Sequence, residues 1–323
     1  MNNLGYIKVA AATPWLRVAD CGYNCDRIIS MMEQAASRGV KVVAFPELSI
    51  TSSTCGEMFR QRTLLQGAER ALMQIVEASA ELPLLAIVGA PLCVGDKIYN
   101  CAAVVSQGML IGVVPKSVIP HDECKFFSSG ATTQAEEIEI AGFTAPFGTD
   151  LTFAMDGVRF GVEIGEDVCT PVPPSINQAL QGAKIIFNLA STPALAAGEK
   201  SAVAMIQSHS ARTLSAYVYA TAGYGESTTD MVFAGGNIIA ENGHVLSMAE
   251  RFNLDEELTV AEVDVELIEN RRRQAATFAC EGERPYYRQF DVFSPEGYEP
   301  VKCEFERAIE PMPFIPQLAA ERE

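Results

Sequence analysis

One apolar segment that ends in a sharp turn before two carboxylates constrains this fold most. Over the first seven residues of Val158–Ser175, apolar side chains alternate with smaller or polar ones and predict a strand. The strand stops at Gly165–Asp167, a proline-rich loop follows, and Ile176–Ala183 predicts a helix. A strand that ends in a sharp turn is where α/β hydrolytic enzymes hold a nucleophile. Here the turn carries Gly165, and the nearest thiol is Cys169.

Elsewhere, apolar strands alternate with amphipathic helices and with hairpins. This mixture predicts an α/β fold in which helices cover a mixed sheet. The further predicted helices are Arg27–Ser37, Leu64–Ala80, Ser201–Ser215 and Val265–Arg273. The predicted hairpins are Tyr99–Ser106 with Met109–Val114, and Leu151–Met155 with Val158–Ile164. The remaining predicted strands are Ile7–Ala12, Val42–Phe45, Leu84–Val88, Lys184–Leu189, Ala216–Ala222, Met231–Phe233, Gly236–Ala240, His244–Ala249 and Leu258–Val263.

Composition and charge exclude several classes of protein. The 323 residues, 48% of them apolar, suffice for one large domain or two small ones. The formal net charge is −17 and no basic run occurs, which argues against a nucleic-acid partner. No segment approaches the ~20 apolar residues of a membrane span, and the first residues lack the pattern of a signal peptide. We therefore predict a cytoplasmic protein with no membrane or nucleic-acid partner.

The cysteines and histidines do not suggest a metal site. The nine cysteines are an odd number without a framework spacing, which predicts reduced thiols. Cys21 and Cys25 form a lone pair, whereas zinc sites usually need four ligands, and the chain has three histidines. We predict no bound metal.

Three segments resemble one family, the nitrilase superfamily of carbon–nitrogen hydrolases. Gly161–Ser175 resembles the nucleophile segment of the glutaminase domain in glutamine-dependent NAD synthetases, which is Glu-(Ile/Val)-Cys-Glu-Asp, usually followed by Trp and Pro-(Ile/Val)-Pro-Pro-Ser. Gly223–Asp230 is similar to the NAD-synthetase form of its segment, and Asn188–Pro193 is similar to the family's Asn-Leu-Ser-Gly-Ser-Pro. The segment Gly161–Ser175 departs from the family pattern at two positions. Cys169 replaces the Trp, and Gly165 replaces the nucleophilic Cys.

The resemblance implies an αββα sandwich, two mixed sheets between helix layers, that stacks further in a homo-oligomer. It covers Ile7 to Arg273, so we predict a nitrilase-like domain over residues 1–273 and a tail over 274–323 that leads toward a synthetase domain. No Ser-Gly-Gly-x-Asp-Ser pyrophosphate loop occurs. ATP and Mg²⁺ would therefore belong to that synthetase domain, and we predict no cofactor for this chain. The family substrate is L-glutamine.

The resemblance also assigns candidate site residues. Glu47, in Phe-Pro-Glu-Leu, matches the family's general base, and Lys116, in Gly-Val-Val-Pro-Lys, matches the lysine that stabilises the oxyanion. Taken alone, they would be interpreted as a solvated carboxylate and a surface lysine. Each ends a predicted strand, so both can converge beside Gly165. Glu123 stands near the family's second catalytic Glu. The implied substrate-binding positions are Ser53, where the family has a Tyr, Phe126, Glu166 and Thr192.

Gly165 decides what chemistry remains. In the family a Cys thiolate attacks glutamine, ammonia leaves, and water hydrolyses the thioester. Gly165 has no side chain, so we predict that this chain is inactive as a glutaminase. Three interpretations stay open: a non-catalytic structural or assembly domain, a laboratory replacement of the Cys in an active enzyme, and an amidase that uses Cys169. The change at Ser53 and the short loop His121–Thr133 favour the first, because one engineered substitution would leave the pocket intact.

Overall fold

Two β-sheets lie face to face in this computed structural model, and α-helices cover the outer surface of each. The structure describes residues 5–196, 198–278, 285–294 and 305–309. Within them, the helices are α1 (Cys21–Ser37), α2 (Arg62–Ala78), α3 (Pro174–Leu180), α4 (Gly198–Thr213) and α5 (Val265–Gln274). The strands are β1 (Tyr6–Thr13), β2 (Val42–Ala44), β3 (Leu85–Val94), β4 (Lys97–Ser106), β5 (Met109–Pro115), β6 (Glu137–Ile140), β7 (Phe143–Pro146), β8 (Leu151–Met155), β9 (Val158–Ile164), β10 (Ile185–Ala190), β11 (Ala216–Thr221), β12 (Ile238–Glu241), β13 (His244–Met248), β14 (Glu257–Asp264) and β15 (Arg288–Val292).

The first sheet has the order β14-β1-β2-β3-β4-β5. Its central strands β1, β2 and β3 are parallel, and its edges are antiparallel. Alternation along β1 explains why both faces are buried. Ala10 and Ala12 pack in the outer cluster with α1 and α2, whereas Val9 and Ala11 pack in the inner cluster between the sheets.

The second sheet has the order β13-β12-β11-β10-β9-β8-β15, with β9, β10 and β11 parallel. Its inner face supplies Phe153, Phe160 and Phe187 to the central core, where Phe160 contacts both other rings. Its outer face is covered by α4 through Ile206. A sheet buried on both faces needs nearly continuous apolar strands, and β10 and β11 are buried throughout.

The predicted αββα architecture is confirmed within one chain. One predicted strand is wrong: Met231–Phe233 is extended loop, because its groups do not pair with a neighbouring strand and Met231 and Val232 are exposed. Three strands were not predicted. β6 and β7 form a separate hairpin, and β15, from the predicted tail, pairs in parallel with β8. No helix in the described part of the chain is long and apolar enough to cross a membrane.

The carboxyl ends of several strands meet at one edge of the two sheets. In the first sheet β2 and β5 run in the same direction, since β3, β4 and β5 are successively antiparallel and β2 is parallel to β3. β2 leads into Glu47 and β5 leads into Lys116. In the second sheet β9 leads into Gly165, and β10 leads into Ser191 and Thr192. This edge therefore holds the candidate site.

Candidate active site

Glu47 is held in a tight turn directly after β2. The next residue, Leu48, has a φ of 53°, in the left-handed region that costs a branched side chain energy. The turn crosses β3 at Gly89, where an added Cβ would lie 2.3 Å from the Leu48 nitrogen and 2.4 Å from the Pro46 oxygen. Only a residue without a side chain permits this approach. Gly89 therefore fixes where Glu47 stands, a role that the sequence analysis missed.

Lys116 forms the centre of a buried ion cluster. Its Nζ lies 2.6 Å from Glu47 Oε1 and 3.0 Å from both carboxylate oxygens of Glu123. The Lys116 side chain is 1% exposed and that of Glu47 is 5% exposed, so water screens the pair little. Asn100 Nδ2 donates to the same Glu47 Oε1 at 2.6 Å. The two residues predicted to converge at this edge are thus in direct contact, and Glu123 joins them.

Burial and charge shift the pKa values of this cluster in known directions. Burial alone lowers the pKa of Lys116, but the carboxylates of Glu47 and Glu123 outweigh it and raise the pKa overall. Burial and the charge of Glu47 raise the pKa of Glu123 to about 7, against the opposing effect of Lys116. Lys116 is therefore a permanent cation here, and Glu123 changes its charge near neutral pH.

Gly165 sits at the turn between β9 and a short 3-10 segment, Gly165–Cys169, with a φ of 51°. A Cβ at Gly165 would lie 2.5 Å from Glu47 Oε2 and 3.3 Å from Lys116 Nζ. The carbonyl oxygen of Gly165 accepts a hydrogen bond from Asn188 Nδ2 at 3.0 Å. The position predicted for the nucleophile thus faces Glu47 and Lys116, and a side chain at this position would meet the Glu47 carboxylate.

Asp167 ties this turn to the strand that carries Lys116. Its carboxylate accepts hydrogen bonds from the backbone nitrogens of Ile164 at 3.2 Å, Ser117 at 3.2 Å and Val118 at 2.8 Å. Burial raises the pKa of Asp167 to about 6 although these three donors oppose the change. Asp167 follows from the family pattern in the sequence, but its bonds to residues about fifty positions away do not.

A cavity of about 380 Å³ opens beside this cluster. Its walls include Glu47, Lys116, Glu123 and Gly165, together with the apolar rings of Phe59, Phe126 and Phe233. All four predicted substrate-binding residues line it: Ser53, Phe126, Glu166 and Thr192. Cys169 is not among the described residues that line the cavity. The residue is exposed, and its Sγ lies 3.8 Å from Met205 Sδ. Partial desolvation of the sulfur and the nearby carboxylates of Glu166 and Glu163 raise the pKa of the thiol.

One buried carboxylate behind the cavity wall was not singled out from the sequence. Glu226 is 7% exposed and accepts hydrogen bonds from Ser53 N at 2.9 Å, Thr54 N at 3.1 Å and Thr54 Oγ1 at 2.6 Å, and one from Ser52 Oγ. Ser53 in turn bonds through its hydroxyl to Ser191. Glu226 therefore joins the loop after β2 to the loop Gly223–Asp230 and holds Ser53 and Thr54, which line the cavity.

Comparison with known proteins agrees with this geometry. The family model for carbon–nitrogen hydrolases matches residues 8–273, most of the chain. The chain belongs to the carbon–nitrogen hydrolase family. The match covers both sheets up to the end of β14 and nearly all of α5. The glutaminase-type resemblance seen in the sequence also has support from individual relatives.

Two relatives are glutamine-dependent NAD(+) synthetases from mycobacteria. The protein of Mycobacterium leprae is 36% identical over 326 residues, which cover 97% of this chain and 47% of the relative. The protein of Mycobacterium tuberculosis strain H37Rv is 35% identical over 328 residues, with the same coverage. The chain thus spans about half the length of the curated relatives that it matches.

Solved structures share the fold. A glutamine-dependent NAD(+) synthetase from Cytophaga hutchinsonii superposes with a TM-score of 0.72 at 21% identity, over 80% of this chain and 43% of that one. A mutant of the Nesterenkonia AN1 amidase of the nitrilase superfamily superposes with a TM-score of 0.67 at 15% identity, over 84% of this chain and 96% of that one.

Proposed function

We propose that this chain is a glutaminase-type domain for NAD synthesis that does not hydrolyse glutamine itself and acts as a structural or assembly domain. The observation that carries the proposal is Gly165 at the turn that faces Glu47 and Lys116. Thioester chemistry needs a thiol at that point to attack the amide carbon. Glycine supplies no atom that can form this bond, so the base and the lysine have no nucleophile to serve.

The surroundings of Gly165 support this proposal. Glu47 Oε2 lies 2.5 Å from where a Cβ would be, so the carboxylate stands in the space that a nucleophilic side chain would need. Lys116 directs its ammonium group to three carboxylate oxygens. An ammonium group has three donors, so none is left for a tetrahedral oxyanion without rearrangement.

The Nesterenkonia amidase is a useful contrast. Structures of its mutants record covalent addition of an acetamide moiety at its active-site cysteine. Our chain has the same fold, but its turn carries Gly165. The exposed thiol of Cys169 lies beyond the cavity walls, which speaks against a relocated nucleophile because a displacement of about 1 Å can already cost ~100-fold in rate.

An exposed apolar surface supports the assembly role. The rings of Trp15 and Tyr224 are in contact, and Trp15 Nε1 donates to the Leu254 carbonyl. All three side chains are exposed, by 37%, 56% and 64%. Clustered apolar groups of this kind often mark an interaction surface. Light scattering at micromolar concentration tests the role, because a strict monomer that also fails to associate with an NAD synthetase domain would contradict it.

Ammonia release from L-glutamine tests the loss of hydrolysis. We expect the purified chain to release none above a blank. Gly165→Cys should gain turnover, in part only, because Glu47 must move away from the new side chain. Gly165→Ala is the matched control, because Ala must adopt the same positive φ as Cys at this position but supplies no nucleophile. Turnover by the unmodified chain that Glu47→Gln abolishes would overturn the proposal.

A further inference from the structure

A second cavity, of about 490 Å³, lies beside the candidate active site. Among the described residues, only Thr192 and Pro193 line both cavities. The second cavity is enclosed by the first turns of α4, the strands β11 and β12, and the loop between β13 and β14. Sites for small ligands typically have ~300–1,000 Å³. The second cavity is therefore large enough to hold a small ligand of its own.

Most of its wall is apolar. The residues with apolar side chains are Pro193, Ala194, Leu195, Ala196, Ala202, Met205, Ala234, Ile238 and Met248. Ala234 and Ile238 are buried, whereas Leu195 and Met248 are exposed, which gives the cavity a buried end and an open end. The hydroxyl groups of Thr192 and Tyr219 lie 2.7 Å apart and bond to each other. This wall suits the carbon skeleton of an apolar ligand.

Arg251 is the one cation among the described residues that line this cavity. A guanidinium group has five N–H donors, yet that of Arg251 donates no hydrogen bond to a described residue, although its side chain is only 21% exposed. Glu199 Oε2 lies 3.8 Å from its Nη1, beyond hydrogen-bond distance. Glu199 is itself 47% exposed, and such ion pairs contribute little. The donors of Arg251 are therefore open to an acceptor that a ligand supplies.

The backbone and a neighbouring ring hold Arg251 in position. At Gly236, which has a φ of 91°, an added Cβ would lie 2.7 Å from Arg251 Cγ, so the aliphatic part of the arginine packs directly on this glycine. The Cζ atom lies 5.1 Å from the centre of the Phe252 ring. A group that is already ordered loses less entropy when a ligand binds. Arg251 is thus prepared to orient a ligand at the cavity wall.

We propose that this second cavity binds a small organic carboxylate with an apolar body. The carboxylate accepts hydrogen bonds from the guanidinium of Arg251, whose planar fork matches two carboxylate oxygens. The carbon skeleton lies against the apolar wall. A neutral amide offers an acceptor without charge, and an ammonium ion is repelled by Arg251. The site lies outside the candidate active site and requires no turnover, so it holds or fails independently of the proposed function.

Isothermal titration calorimetry with three probes of the same apolar body tests the proposal. The probes are hexanoate, hexanamide and hexylammonium, at the same neutral pH and ionic strength. We expect hexanoate to bind on the order of tenfold or more tighter than either of the others, because only hexanoate forms charge-assisted bonds with Arg251. Excess L-glutamine should leave hexanoate binding unchanged. Equal binding of another probe, displacement by L-glutamine, or no binding of hexanoate would each overturn the proposal.

Arg251→Met tests the charged end of the site. Methionine keeps much of the apolar stem but has no charge and no donor, so hexanoate binding should weaken by roughly tenfold or more. Arg17→Met is the matched control for the change in net charge, because Arg17 does not line the cavity and has an exposed ion pair of 3.9 Å with Asp20. Hexanoate binding that Arg251→Met leaves unchanged would refute the assignment.

Ala202→Phe tests the apolar end of the site. Ala202 lines the cavity from α4, and a phenyl ring there should fill part of it and weaken hexanoate binding by roughly tenfold or more. Ala204→Phe is the matched control, since Ala204 is exposed on the same helix and does not line the cavity. Circular dichroism verifies that both variants fold. Equal hexanoate binding by the two variants would place the ligand elsewhere.

Discussion

Replacing Glu163 with Gln tests whether a buried carboxylate two residues before Gly165 weakens the fold at neutral pH. Glu163 is 1% exposed, and its carboxylate accepts hydrogen bonds from Ser175 N at 3.1 Å and from the Tyr217 hydroxyl. Burial outweighs these bonds and raises the pKa of Glu163 to about 7. Tyr217 also accepts from Asn188, which bonds to the Gly165 carbonyl, so the carboxylate belongs to the structure that supports the turn.

The direction in which pH changes the stability of the fold follows from the raised pKa of Glu163. The folded state holds a proton on Glu163 that the unfolded chain has already lost, so the stabilisation is complete below pH ~4.5 and is lost as the pH rises to about 7. The difference between an ordinary value of 4.5 and about 7 corresponds to about 3 kcal/mol. About 2 kcal/mol of this stabilisation is lost between pH 5.5 and pH 8. This pH range avoids the isoelectric point near 4.7.

Glutamine has nearly the shape of a protonated glutamate and does not ionise. We therefore compare the unfolding free energy of Glu163→Gln with that of the unmodified chain at both pH values. We expect this difference to shift by about 2 kcal/mol in favour of the variant when the pH rises from 5.5 to 8. Urea unfolding followed by circular dichroism at the two pH values measures this difference. Glu166→Gln changes an exposed carboxylate nearby and controls for the loss of one charge. The reasoning is refuted if the difference between Glu163→Gln and the unmodified chain does not change with pH.

Two further substitutions test contacts that only the folded chain contains. Arg307→Ala should lower the unfolding free energy by about 3–5 kcal/mol in urea, because Arg307 makes two bonds of 2.8 Å to the buried Glu241. Its loss leaves that carboxylate with the Asp264 backbone nitrogen as a donor but without its cation, and an unchanged midpoint would contradict this. Gly89→Ala should cost about 1–3 kcal/mol, because the new methyl group collides with the turn that carries Glu47. Gly22→Ala, whose nearest contact is 4.0 Å away, is its control, and equal stability of the two variants would disprove the collision.

Local patterns in the sequence were enough for most of the architecture. The alternation in Val158–Ile164 and the helical spacing in Ser201–Ser215 depend on neighbours a few residues away. The strand forms with the predicted bounds, and the helix forms over Gly198–Thr213. Local patterns fail at Met231–Phe233, because three apolar residues fit the pattern of a strand but have no partner strand in the described part of the chain. Local patterns also missed β15, because Arg288–Val292 becomes a strand by pairing with the open edge of β8.

The identity of the candidate site also came from the sequence, through the segments around Glu47, Lys116 and Gly165. The sequence did not show how the charged groups of this site share their hydrogen bonds. Lys116 lies 69 residues from Glu47 in the chain, and Glu226 lies 173 residues from Ser53. Among the described residues, Lys116 and Asn100 both donate to Oε1 of Glu47, and this arrangement depends on how the two sheets pack and bring strand ends together. Hydrogen bonds and burial act over a few ångströms in space, so separations along the chain determine that such groups can meet but not how they share their bonds and charges.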